Sequence, residues 1–126
     1  MVTPLVRMLQ SPDQEGLREL LAPGARFRSP VADYDDPDDV VHVLTIIPTV
    51  LRDVRVERTF RAGTEDATFL TGAVGRRHAE AVLRERRGPD GRVEEATLMV
   101  RPLGALHAAV RRMGEALIAD PLPSRR

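Results

Sequence analysis

DGRVEEATLMVRPL, Asp90–Leu103, carries a turn, a strand and a sharp exit into a helix. Asp90-Gly91 is turn chemistry, because glycine takes positive φ without steric cost. Arg92–Arg101 then alternates, and Pro102 stops the run because it has no N–H for a ladder. Working upstream, Val54–Ala62, Ala67–Val74 and Arg77–Arg87 have the same period of two, joined by Gly63-Thr64-Glu65-Asp66 and Gly75-Arg76. Connections this short predict four consecutive antiparallel strands. Downstream the period becomes helical, with Leu103, Leu106, Val110, Met113 and Leu117 along one side.

The amino-terminal third reads as helices and one short strand. Thr3-Pro4 opens a helix, and Ser11-Pro12-Asp13-Gln14 predicts a second start with Ser11 as cap. Pro23-Gly24 is expected to stop that helix, and Arg26–Val31 to be extended. Asp36-Pro37-Asp38-Asp39 is the clearest helix start: a capping carboxylate, proline at the first position, then acids at the positive end of the dipole. Val40, Val43, Leu44, Ile47 and Leu51 form its apolar face, and Pro48 should kink it or end it a turn early. Residues 1–119 are expected to form a single domain and 120–126 a mobile tail.

Composition excludes several functions. The chain has 126 residues, 42% of them hydrophobic, with only Phe27, Phe60, Phe69 and Tyr34 as rings. All 19 basic residues are arginine and 19 acidic residues balance them, so no phosphate-backbone footprint is implied and nucleic acid is not an expected partner. Without lysine there is no Schiff-base chemistry, and without cysteine no disulfide or thiolate nucleophile. The three histidines have no metal-ligand spacing, so neither metal nor cofactor is expected. No run approaches the ~20 apolar residues of a membrane span, and a soluble, cytoplasmic protein with no membrane partner is expected.

LLAPGARFRSPV (Leu20–Val31) and DGRVEEATLMVRPL, in this element order, resemble the NTF2-like superfamily, in particular its SnoaL-like members. The resemblance implies an α+β cone: a curved antiparallel sheet wrapped around the amino-terminal helices, with a pocket in the open end. Ser29, Tyr34, Val43, Ile47, Thr97 and Met99 are the expected pocket lining. It further implies a homodimer through the outer sheet face and a small apolar or weakly acidic ligand. One fold of this kind hosts many chemistries, so function has to come from the site.

The catalytic patterns of the superfamily transfer poorly. Ketosteroid isomerases place a carboxylate base just before the proline that ends the first strand, where this chain has Ser29 before Pro30, and its first helices contain no tyrosine. SnoaL-type cyclases carry an aspartate near positions occupied here by Ala81 and Val82. Asp33 and Arg101 match two members of an epoxide-hydrolase triad, without a second aspartate on a strand. Asp33, Asp35, Asp36, Asp38 and Asp39 are mostly accounted for by the helix start, and His42 by packing or a surface position. His78 and Glu80 share a strand face, as a base with its orienting carboxylate or as a solvent-facing pair. Glu95, Thr97, Met99 and Arg101 share a face opposite Glu94, Ala96, Leu98 and Val100, and alternation leaves open which of the two lines the cone. The leading expectation is a small-molecule-binding protein. The alternatives are a cofactor-independent isomerase, dehydratase, cyclase or epoxide hydrolase using His78, Glu80, Glu95 or Arg101, or a non-catalytic dimeric interaction module.

Overall fold

A computed structural model describes residues 2–126. In chain order the elements are α1 (Pro4–Gln10), α2 (Gln14–Leu20), β1 (Leu21–Arg28), β2 (Asp33–Tyr34), α3 (Pro37–Val50), β3 (Arg52–Ala62), β4 (Glu65–Val74), β5 (Arg77–Arg87), β6 (Val93–Arg101) and α4 (Leu103–Ala119), with a 3₁₀ turn at Pro123–Arg125. The α+β cone expected from the sequence is the fold observed.

Local chemistry explains the element boundaries. Thr3 Oγ1 accepts from Val6 N–H at 3.2 Å to cap α1, and Asp36 accepts from the amides of Asp38 and Asp39 to cap α3. Helix α2 starts later than expected: Asp13, not Ser11, is its cap residue, and Ser11 instead terminates α1. Helix α3 continues through Pro48 to Val50. Pro48 has no N–H to give the Leu44 carbonyl, and the helix carries on for less than a turn beyond it.

The six strands lie in the order β2-β1-β6-β5-β4-β3. The expected β3-to-β6 meander is antiparallel throughout, but β1 joins β6 in parallel, so the sheet is mixed. Strand β1 is also longer than expected and contains Pro23-Gly24 within a register shift between Leu21 and Arg26. Proline is tolerated there because β2 pairs only with Phe27 and Arg28, leaving this stretch on an edge. Further register shifts in β3 accompany the bend of the sheet. Gly72 is required at that bend, since a Cβ would stand 2.9 Å from the Arg52 carbonyl oxygen.

Helices α1 and α3 fill the concave side. Leu5, Val6, Leu9, Val40, Val43, Leu44 and Ile47 pack with Phe27, Leu70, Leu83 and Leu98 of the sheet. Helix α4 closes over the open end. The segment after it packs back against α3. Ser124 donates from both N–H (3.0 Å) and Oγ (2.5 Å) to the Asp39 carboxylate, and His42 Nε2 lies 2.9 Å from the Asp120 carbonyl oxygen. Among the described residues no helix is long and apolar enough to cross a membrane.

Candidate functional site

Between α3, α4, the β1–β2 turn and the ends of β4 and β6 lies a cavity of about 240 Å³. Val43, Ile47, Val50 and Leu51 form its floor, Val74, Leu98 and Val100 one wall, and α4 its roof, with Leu106, Ala109, Met113 and Leu117 facing in and Val110 and Gly114 on the solvent-exposed edge. The α4 stripe read from sequence is this roof, apart from Leu103, which is exposed. The lining contains no Asp, Glu, His or Arg side chain. Its hydroxyls belong to Ser29 and Tyr34.

Ser29 is occupied by its own turn. Its Oγ donates to the Ala32 carbonyl at 2.8 Å and accepts from the amides of Val31 and Ala32. Tyr34 stacks on Phe27 with ring centroids 6.3 Å apart. Its phenol is pushed above the ordinary value by burial, and further by the negative charge of Asp39, with Arg125 opposing. At neutral pH it is therefore a neutral hydroxyl able to donate one hydrogen bond.

The residues proposed from sequence divide by strand face. Ser29, Tyr34, Val43 and Ile47 line the cavity. Thr97 and Met99 do not, because Leu98 and Val100 take the inward positions of β6 and alternation turns their neighbours outward; Met99 is 49% exposed. Glu80 and Arg101 are cross-strand partners on the outer face and form an ion pair there. His78 is exposed on the same face of β5, and Glu95 lies 3.7 Å from Arg86. None of the four catalytic candidates reaches the cavity, so Arg101 cannot serve there as a cation for an acidic ligand. His107 is exposed on α4. Among the described residues no group of three potential ligands could hold a metal ion.

A second polar constellation was not visible in the sequence. Glu85 and Asp66 are opposed on β5 and β4, point into the cone, and are each only 1% exposed. Thr3 Oγ1 donates to Glu85 at 2.6 Å, tying α1 to the sheet. Arg61 donates to both Asp66 oxygens (2.8 and 3.2 Å), and Arg87 lies 2.8 Å from Oδ2. The Arg61 hydrogen bonds hold the Asp66 carboxyl below its usual range, while burial pushes the Glu85 carboxyl up. Neither carboxylate belongs to the cavity lining. They are structural members of the cone's other end.

The fold has many solved counterparts. A steroid delta-isomerase from Pseudomonas aeruginosa superposes with a TM-score of 0.84 at 31% sequence identity, over 90% of this chain and 85% of that one. The chain belongs to the NTF2-like superfamily. An uncharacterized bacterial protein with a cystatin-like fold from Silicibacter pomeroyi gives a TM-score of 0.86 at 23% identity, covering 95% and 89% of the two chains. An NTF2-like protein of unknown function from Cytophaga hutchinsonii shares the fold at 10% identity and a TM-score of 0.68, over 84% and 96%. No family model matches the sequence, and no curated protein does.

Proposed function

We propose that this NTF2-like protein binds a compact, neutral, mainly apolar molecule beneath α4. The observation that carries this reading is a 240 Å³ space walled by aliphatic side chains with one available hydroxyl, that of Tyr34. The volume falls short of the roughly 300–1,000 Å³ of pockets for drug-sized ligands, which suits one or two fused rings or a short chain. A buried charge on the ligand would find no partner in this lining and would be costly.

Binding is favoured over isomerisation because proton transfer at carbon needs a base, and the lining offers none. At the position where the resemblance to ketosteroid isomerases implies a carboxylate base, Ser29 holds its turn together instead. The test is titration with 1-aminonaphthalene, whose fluorescence rises in apolar surroundings. Saturable enhancement by the wild type, lost in Ala109→Phe, supports the reading; equal enhancement by both proteins sinks it.

We also propose that a second copy of the chain covers the outer sheet face. There Phe60 (53% exposed), Phe69 (42%) and Met99 form an apolar band, with Phe60 edge-on to Phe69 at 5.7 Å. The Glu80–Arg101 pair borders it on one side and the Glu65–Arg84 pair on the other. Light scattering should give the mass of two chains, falling to one in Met99→Glu; a monomeric wild type at all concentrations overturns this.

A further inference from the structure

We infer that Gly114 is the portal residue of the cavity, setting how fast its ligand enters and leaves; this rests on the binding reading above. Among the lining residues four are exposed to solvent: Pro30 and Val31 on the β1–β2 turn, Val110 and Gly114 on α4. The mouth therefore lies between that turn and one side of the helix, where positions four apart stand one above the other. Val110 furnishes a side chain to this rim and Gly114 a gap.

Packing does not account for the glycine. It sits inside a 17-residue helix, where glycine is among the poorest residues, and its φ is not positive. A Cβ at this position would meet nothing within 4 Å. By contrast, Gly104 in the same helix is approached to 2.9 Å by the Arg77 guanidinium, so a side chain there would meet protein. Position 114 thus combines a cost to the helix, no steric need for glycine, and a place on the cavity rim. What the missing side chain leaves is an aperture. A larger residue fits without disturbing the core and adds bulk to the rim of the opening. Because the inner walls are untouched, the bound state keeps its contacts, and only the barrier to passage rises. A portal change slows both directions, whereas a wall change alters affinity, chiefly through dissociation.

The experiment is stopped-flow mixing of 1-aminonaphthalene with wild type, Gly114→Phe, Gly114→Ala, Val31→Trp and Ala109→Phe, each checked for folding by circular dichroism. Gly114→Phe and, independently, Val31→Trp on the opposite lip are expected to lower association and dissociation rates together, on the order of tenfold, with Kd nearly unchanged. Gly114→Ala should melt at a higher temperature than the wild type with rates close to it. Wild-type rates in Gly114→Phe and Val31→Trp, alongside abolished binding in Ala109→Phe, overturn the portal and leave the cavity reading standing. Faster dissociation at an unchanged association rate in Gly114→Phe also overturns it, by placing position 114 inside the site. Absence of wild-type binding, or full binding by Ala109→Phe, overturns both readings.

Discussion

Replacing Asp66 by asparagine probes the arginine-clamped end of the cone. The carboxylate side chain is inaccessible to water and takes three contacts from two guanidinium groups, at 2.8, 3.2 and 2.8 Å. Asparagine keeps the shape, loses the charge, and turns an N–H₂ toward a donor. Each charge-assisted hydrogen bond contributes about 1.5–3 kcal/mol, and breaking a buried pair typically costs about 3–5 kcal/mol. Two features lower the figure here. Arg61 is half exposed and regains water, and Arg87, already close enough to act on Glu85 electrostatically, can turn toward it. We expect a loss of about 2 kcal/mol at pH 7, or about 8 °C in Tm for a domain of this size. Urea unfolding followed by far-ultraviolet circular dichroism measures it. The sign with pH is fixed by the depressed folded pKa: stability from Asp66 is fully present above the unfolded value of about 3.9 and is lost as pH falls through the folded value. The difference between the proteins must therefore shrink in acid. A loss under 1 kcal/mol at pH 7, or one equally large well below pH 4, would refute the ion-pair argument.

Two further outcomes are expected. In Glu85→Gln the hydrogen bond from Thr3 survives while the buried charge disappears. The raised folded pKa means the wild type loses stability as pH climbs from about 4.3, the unfolded value, through the folded value. The variant should therefore gain on the wild type from pH 4 to pH 8 in parallel thermal melts, and a constant difference counts against the reading. In Ser124→Ala the Asp39 carboxylate loses the Oγ contact and keeps the one from the backbone N–H, weakening the carboxyl-terminal turn by about 1 kcal/mol. Hydrogen exchange should quicken at 120–126 and in the last turn of α4, while exchange in β4 and β5 stays unchanged.

Much of the sheet was legible because its signals are local. Gly63, Gly75 and Gly91 all have positive φ in the turns that separate the strands, and the Asp36-Pro37 start of α3 is capped as its residues demand. The parallel β1–β6 contact was not legible, because nothing in Leu21–Arg28 says which edge it will join, and Pro23-Gly24 imitates a stop. On β6 alternation defines two faces without an inside, and the resemblance points to Thr97 and Met99 where Leu98 and Val100 line the cavity. On β5 the run Arg84-Glu85-Arg86-Arg87 hides the period altogether. Glu85 looks like one charge among four, and only its neighbours Thr3 and Asp66, 82 and 19 residues away, give it a buried place. The cavity hydroxyls were recognisable by position, but that Ser29 is used up in its own turn depends on a loop conformation the sequence does not dictate.

The parallel seam between β1 and β6 has a consequence for synthesis on the ribosome. Phe27 finds its neighbour Ala96, Thr3 finds Glu85 and Asp39 finds Ser124 only after most of the chain has been made. The first fifty residues therefore leave the exit tunnel with apolar helix faces and a strand edge uncovered. The β3–β6 meander, whose pairings are all between consecutive strands, is the part able to assemble while translation continues. Closing the long loops is deferred to the end, which slows folding relative to an all-helical domain and makes the nascent amino-terminal third its most aggregation-prone stage.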